Sequence, residues 1–205
     1  MGYTSDHALA AATTSILAAL WFIWTVRHSG PWARLLPVAG VAVAAVAVAL
    51  AALVAARSWS DGTVVTGRVV SIYVAALLAH GLLTRLTTGA VASRYRRAVA
   101  AAKDEDKAGV TDGKSRLHLI PTVVAVSTAI QVVVIADTLD VPALYLGAVA
   151  AFLVALLAWP LGWLLRPATR SRGPRPPAAL AHPLTGLLTG AVLLATAVWV
   201  LLPPP

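Results

Sequence analysis

The chain alternates between long apolar stretches and shorter polar segments. Six stretches of roughly twenty residues or more consist mainly of Ala, Val and Leu, and a transmembrane helix needs about 20 such residues. The pattern predicts an all-α, polytopic membrane protein, a six-transmembrane-helix bundle that forms one integral membrane domain over residues 1–205. The predicted spans are residues 8–26, 35–56, 63–88, 119–139, 143–165 and 184–202.

The third stretch differs from the others because it carries Arg68, Tyr73, His80 and Arg85. Charged or titratable side chains are rare inside membranes and usually serve a function there. The second stretch, by contrast, contains no polar side chain, so we expect it to face lipid or to pack through small residues. The third predicted helix is therefore the first place to look for a functional site.

Composition agrees with a membrane protein. Hydrophobic residues make up 59% of the chain and charged residues 12%, whereas soluble domains average about 25% charged residues. The absence of cysteine excludes disulfides, thiolate metal sites and thiol catalysis. Abundant Ala, Val, Leu and Arg with few Lys is typical of a GC-rich genome. We therefore predict a multi-pass protein of a bacterial inner or plasma membrane.

The basic residues indicate how the chain is oriented. Of the 16 Lys and Arg residues, 14 lie after the first, third and fifth predicted spans or, in the case of Arg85, near the C-terminal end of the third span; the exceptions are Arg57 and Arg68. The positive-inside rule places such segments in the cytoplasm. Residues 90–117 are thus predicted to form a cytoplasmic loop, and both termini to be extracytoplasmic. The net charge of +8 then reflects topology, and we expect no nucleic-acid partner.

Polar side chains fall at matching depths in the third and fourth predicted spans. Tyr73 and His80 share one helical face, and Gln131 lies near the middle of the fourth span. Arg68 and Asp137 fall at similar heights near the outer surface, where pairing across two helices would neutralise both charges. In the alternative, each snorkels separately to the headgroups. The predicted binding residues are His80, Tyr73, Gln131, Arg68 and Asp137.

These residues favour a small-solute or ion transporter or channel with a polar intramembrane site between helices 3 and 4. His80 would be its titrating switch, because imidazole changes charge near neutral pH. However, Ser, Thr and Gln also bond across membrane helices merely as packing contacts. The same pattern therefore fits a structural partner subunit, whose basic cytoplasmic loops would bind anionic lipid or another subunit.

A further alternative is a membrane-embedded enzyme that acts on a lipid or isoprenoid, for example a terpene cyclase. Its general acid would be a carboxyl group, and the candidates are Asp61, Asp137 and Asp140. The last two would share one helical face if the fourth helix continued through both. Phosphate-binding, zinc-protease and EF-hand motifs are missing from the sequence, so we expect no metal and no cofactor.

Small residues at a spacing of four predict close helix packing. Gly186 and Gly190 form a G-x-x-x-G motif in the sixth stretch, and Gly147 and Ala151 form a similar pair in the fifth. Such pairs let two backbones approach closely, either within one chain or between two chains. The expected partners are the lipid bilayer, a small-molecule or lipid substrate and, if the motif joins two chains, a second copy in a homo-oligomer.

Overall fold

The described part of the chain is helical. The computed structural model describes residues 5–28, 34–58, 67–101, 119–164 and 178–202, and no strand occurs in these ranges. The all-α prediction is therefore confirmed. The helices of these ranges are, in chain order, α1 (Ser5–His28), α2 (Leu35–Ser58), α3 (Gly67–Ala101), α4 (Leu119–Leu139), α5 (Ala143–Leu164) and α6 (Ala178–Leu201).

Four of these helices are long and apolar enough to cross a membrane. They contain the stretches Ser5–Arg27, Leu35–Arg57, Pro121–Leu139 and Pro183–Leu201. Helices α3 and α5 contain shorter apolar stretches. The fold thus agrees with a membrane protein, while the count of six spans stays a prediction.

Helix α3 is longer than the predicted third span. It continues to Ala101 and so includes the first part of the segment 90–117 that the sequence pattern assigns to a loop. The reason is the local composition, because this part of the chain is rich in Ala and Arg, which are strong helix formers. Hydropathy therefore predicts where the apolar stretch ends, but the helix itself runs further.

Helix α1 packs against three other helices. It packs most extensively against α2 and α6, and more narrowly against α4. Helix α5 packs against both α4 and α6, whereas the main packing contact of α3 is with α4. Helices α2 and α3 are therefore the most peripheral, and each exposes large apolar side chains of the kind that lipid covers in a membrane.

Small residues let α2 approach α1 closely. Ala44, Ala47 and Ala51 are buried on α2, each at most 4% exposed, while larger side chains such as Val46 and Leu50 are more than half exposed. Close backbone approach at small residues is the usual packing mode of membrane helices. The packing through small residues is therefore confirmed on one side of α2, and contact of its other side with lipid stays a prediction.

The side chain of Phe22 is held between two glycines of neighbouring helices. A Cβ atom at Gly40 of α2 would lie 2.7 Å from the Phe22 ring, and one at Gly190 of α6 would lie 2.9 Å from it. One turn before Gly190, Gly186 of α6 faces Thr25 of α1 in the same way. The G-x-x-x-G motif is therefore confirmed as a close packing site within one chain.

A capped turn ends α4. Asp140 follows the last helical residue with φ of 51°, a left-handed conformation that Asp adopts more readily than most residues. The Val141 amide then donates a hydrogen bond of 3.0 Å to the Ala136 carbonyl, as in a Schellman cap. Because the helix stops at Leu139, Asp137 and Asp140 do not share a helical face, and the condition under which the sequence would have paired them is not met.

Candidate functional site

Helices α1, α3 and α4 enclose a cleft of about 450 Å³. Small-molecule sites typically have volumes of roughly 300–1,000 Å³, so the cleft is large enough for a solute. We call it the α1–α3–α4 cleft. Its lining residues are Leu17, Leu20, Trp21 and Trp24 of α1, His80, Gly81, Thr84 and Arg85 of α3, and Val124 and Thr128 of α4.

Helical spacing explains why these side chains face one another. On each helix the lining residues recur at intervals of three or four, which places them on successive turns of one face. On α1 the series is Leu17, Leu20, Trp21 and Trp24, and on α3 it includes His80 and Thr84. The cleft is thus formed by one face of each helix.

Two hydrogen bonds tie the three helices together at one depth. His80 Nδ1 lies 2.9 Å from Ser127 Oγ and joins α3 to α4. Trp21 Nε1 donates to Thr128 Oγ1 at 3.3 Å and joins α1 to α4. The Thr128 hydroxyl donates in turn to the Val124 carbonyl at 2.9 Å. Since Ser127 and Thr128 are adjacent, His80 and Trp21 lie at nearly the same level of the bundle.

A third polar contact joins α1 to α3 at a different level. The hydroxyl groups of Thr13 and Tyr73 are hydrogen-bonded. Because the Thr13 hydroxyl donates its own proton to the Leu9 carbonyl at 2.9 Å, Tyr73 is the donor in this contact. Tyr73 lies about 10 Å along α3 from His80, and Thr13 lies a similar distance along α1 from Trp21. The two helices therefore run parallel to each other.

Gln131 lies between these two levels. It is one turn along α4 from Ser127 and Thr128, on the same face of the helix, and only 4% of its surface is exposed. Neither atom of its amide group has a hydrogen-bond partner within the described part of the chain. Buried polar groups are normally paired, so this amide marks a position where water or a solute would complete the hydrogen bonding.

Of the predicted binding residues, His80 lines the cleft, and helical spacing puts Tyr73 and Gln131 next to it along the same junction. Tyr73, Gln131 and His80 follow one another where α1, α3 and α4 meet. Asp137 is on α4 as well, but it is exposed and about 9 Å further along the helix from Gln131. The side chain of Arg68 lies outside the described residues, so its pairing with Asp137 stays a prediction.

Of the remaining acidic candidates, the structure describes only Asp140, which does not line the cleft. Asp140 is exposed in the turn after α4, and Asp61 lies outside the described residues. Within the described ranges, no group of three His, Asp or Glu residues is arranged to hold a metal ion. The described lining of the cleft therefore offers hydroxyl, imidazole and guanidinium groups and no carboxylate.

Helix α1 is a wall of the cleft that the predicted transport site did not include. The predicted site joined only the third and fourth spans, whereas Thr13 and Trp21 of α1 bond to residues of both. One signal was available, since Thr13, Leu17, Leu20 and Trp24 share one helical face. That spacing does not predict which helix packs against this face of α1, because α1 and α4 are far apart in the sequence.

No family model, curated protein or solved structure was found to match this chain. The functional argument therefore rests on the geometry of the α1–α3–α4 cleft and on the distribution of charge along the sequence.

Proposed function

We propose that the protein is a small-solute or ion transporter or channel whose route follows the junction of α1, α3 and α4. The observation that carries this proposal is the buried amide of Gln131, which has no partner within the described residues. Leaving a buried polar group unpaired costs about 1–3 kcal/mol. A polar position retained at that cost is explained if a passing solute, or the water that accompanies it, becomes the partner.

The neighbours of Gln131 support the same proposal. The Tyr73 hydroxyl lies on one side of it along the junction, and the His80 imidazole lies on the other. Hydrogen-bonding groups thus succeed one another over a distance of about 10 Å along α3. The Tyr73–Thr13 and His80–Ser127 hydrogen bonds would be enough to hold the helices together. An unpaired amide between them is not needed for packing.

We further propose six membrane spans with both termini outside the cytoplasm, in a bacterial inner membrane. The shortest helix, α4, has 21 residues, and this corresponds to about 30 Å, the thickness of the hydrocarbon core. The positions of Lys and Arg favour this orientation. The end of the cleft that contains Arg85 would then face the cytoplasm.

The cleft gives less support to the other two functions. An enzyme of the proposed kind needs a general acid at its pocket, whereas Asp137 and Asp140 are exposed and do not line the cleft. A purely structural subunit would be expected to fill its helix junctions, and both the cleft and the unpaired Gln131 amide depart from that expectation.

The test is flux in proteoliposomes that carry the protein. Stopped-flow light scattering would follow gradients of a chloride salt, a phosphate salt, glycerol and a short alkyl phosphate. We expect at least one solute to cross faster than in protein-free liposomes. His80→Ala should slow that flux by about tenfold, the effect of losing about 1.4 kcal/mol of interaction with the solute, because it removes the imidazole from the route.

Leu78→Ala is the matched control on the same helix. Leu78 is 68% exposed and lies on a different face from His80, so its truncation should leave the flux unchanged. Equal flux through the wild-type protein and the His80→Ala variant would remove His80 from the route. No flux above protein-free liposomes for any of the four solutes would count against transport itself.

A further inference from the structure

We infer that the α1–α3–α4 cleft binds an amphiphile with an anionic head group. The head group lies at Arg85, and the hydrocarbon part lies along Leu17, Leu20 and Trp21. This inference rests on the proposed function, since it names the class of solute that the same junction would take. Three features of the cleft support it: its charge, its apolar wall and the side from which it is open.

Charge is the first feature. Among the described residues that line the cleft, Arg85 is the one with a permanent charge, and no carboxylate is present. Guanidinium groups bind phosphate and carboxylate through two parallel hydrogen bonds. The hydroxyl of Thr84 and the imidazole of His80 belong to the same face of α3. The described lining at this end of the cleft therefore favours an anion over a cation.

The apolar wall is the second feature. Leu17 and Trp21 are buried at 4% exposure, whereas Leu20 is 57% exposed. The rings of Trp21 and Trp24 lie 5.0 Å apart, between centroids. Polar groups are few in this wall, since the Trp21 indole nitrogen already donates to Thr128. A small hydrophilic anion would leave the wall unused, but a hydrocarbon chain would cover it.

The direction of opening is the third feature. Leu20 lines the cleft and is exposed, and Ile16 and Ile23 beside it on α1 are 49% and 39% exposed. These side chains are of the kind that lipid covers. The cleft is therefore open beside an apolar surface of α1. An amphiphile already dissolved in the bilayer can enter sideways, with its head group at the depth of Arg85.

The test is direct binding, measured by native mass spectrometry of the protein in a nonionic detergent. The probes are lysophosphatidic acid, which is anionic, and lysophosphatidylcholine, which has the same tail and a zwitterionic head. We expect the anionic lysolipid to bind about tenfold more tightly, since one charge-assisted contact is worth at least 1.4 kcal/mol. Arg85→Gln should remove this preference, and Arg85→Lys should restore part of it.

Arg57→Gln is the control for loss of charge. Arg57 is exposed in the last turn of α2, outside the cleft, and this variant should bind both lysolipids like the wild-type protein. Because Arg85 is itself exposed, Arg85→Gln leaves the core intact. Equal binding of the two lysolipids, or an unchanged preference in Arg85→Gln, would overturn the inference. Inorganic phosphate that binds as tightly as lysophosphatidic acid would also overturn it, because the apolar wall would then contribute nothing.

Binding and flux separate this inference from the proposed function. Binding that depends on Arg85, without flux of an alkyl phosphate, would support the ligand class and count against transport. Flux of chloride or glycerol that depends on His80, without preference for the anionic lysolipid, would support transport and overturn the ligand class.

Discussion

Replacing Gln131 with leucine is expected to make the protein more stable and to slow the movement of solute through it. The amide of Gln131 is buried and has no partner in the described part of the chain. Leucine has a similar volume and no polar atom to satisfy, so Gln131→Leu should raise the free energy of unfolding by about 1–3 kcal/mol. The same change removes the hydrogen-bonding group that α4 provides between the levels of Tyr73 and His80.

The two effects of Gln131→Leu need two measurements. Unfolding in mixed micelles with increasing sodium dodecyl sulfate gives the stability, and the proteoliposome assay gives the flux. Ile130→Leu is the control, because Ile130 is on the same helix and is 59% exposed; neither quantity should change in this variant. A less stable Gln131→Leu variant with normal flux would mean that the amide is satisfied in the membrane and serves packing.

Substituting Gly40 is expected to destabilise the fold. The Phe22 ring is held between Gly40 and Gly190. A Cβ atom would lie 2.7 Å from the ring if placed at Gly40, and 2.9 Å from it if placed at Gly190. The ring cannot move away from one helix without approaching the other. Overpacking of this kind costs about 1–3 kcal/mol, and we expect Gly40→Ala to lower the free energy of unfolding by that amount.

Gly89→Ala provides the matched control for Gly40→Ala. A Cβ atom at Gly89 would meet nothing within 4 Å, so alanine there should stabilise α3 by about 0.5–1 kcal/mol through its higher helix propensity. A smaller side chain at position 22 should relieve the strain that Gly40→Ala introduces. The double variant Gly40→Ala, Phe22→Leu should therefore lose less stability than the sum of the two single variants. Strict additivity would show that the ring and Gly40 are not in contact.

Hydropathy predicts the helices well where their ends coincide with polar or turn residues. Helix α4 spans Leu119–Leu139, as predicted, because Asp140 and Pro142 follow directly. Helix α6 begins at Ala178, before the predicted start at residue 184, and continues through Pro183. Membrane helices tolerate such a proline when other groups satisfy the freed carbonyl. The apolar stretch thus locates the membrane-embedded part of a helix and not its full length.

The candidate site is predictable one helix at a time, but its assembly is not. The spacing of Tyr73 and His80 is enough to place both side chains on one face of α3. The depth of Gln131 follows from its position in α4. Which helices become neighbours depends on tertiary packing, and small residues such as Gly186 and Gly190 determine how closely α1 is surrounded. For that reason the bond between Trp21 and Thr128 was beyond the sequence pattern.

The most direct test of the central claim is whether water reaches Gln131. The chain contains no cysteine, so a single introduced cysteine reports one position without background. In proteoliposomes, Gln131→Cys and Thr84→Cys should react with a small, charged methanethiosulfonate reagent, because both would face a hydrated junction. Ile130→Cys, whose position is exposed on the apolar surface of α4, should remain unmodified. If Gln131→Cys were as unreactive as Ile130→Cys, the junction would be dry and the proposed route would not exist.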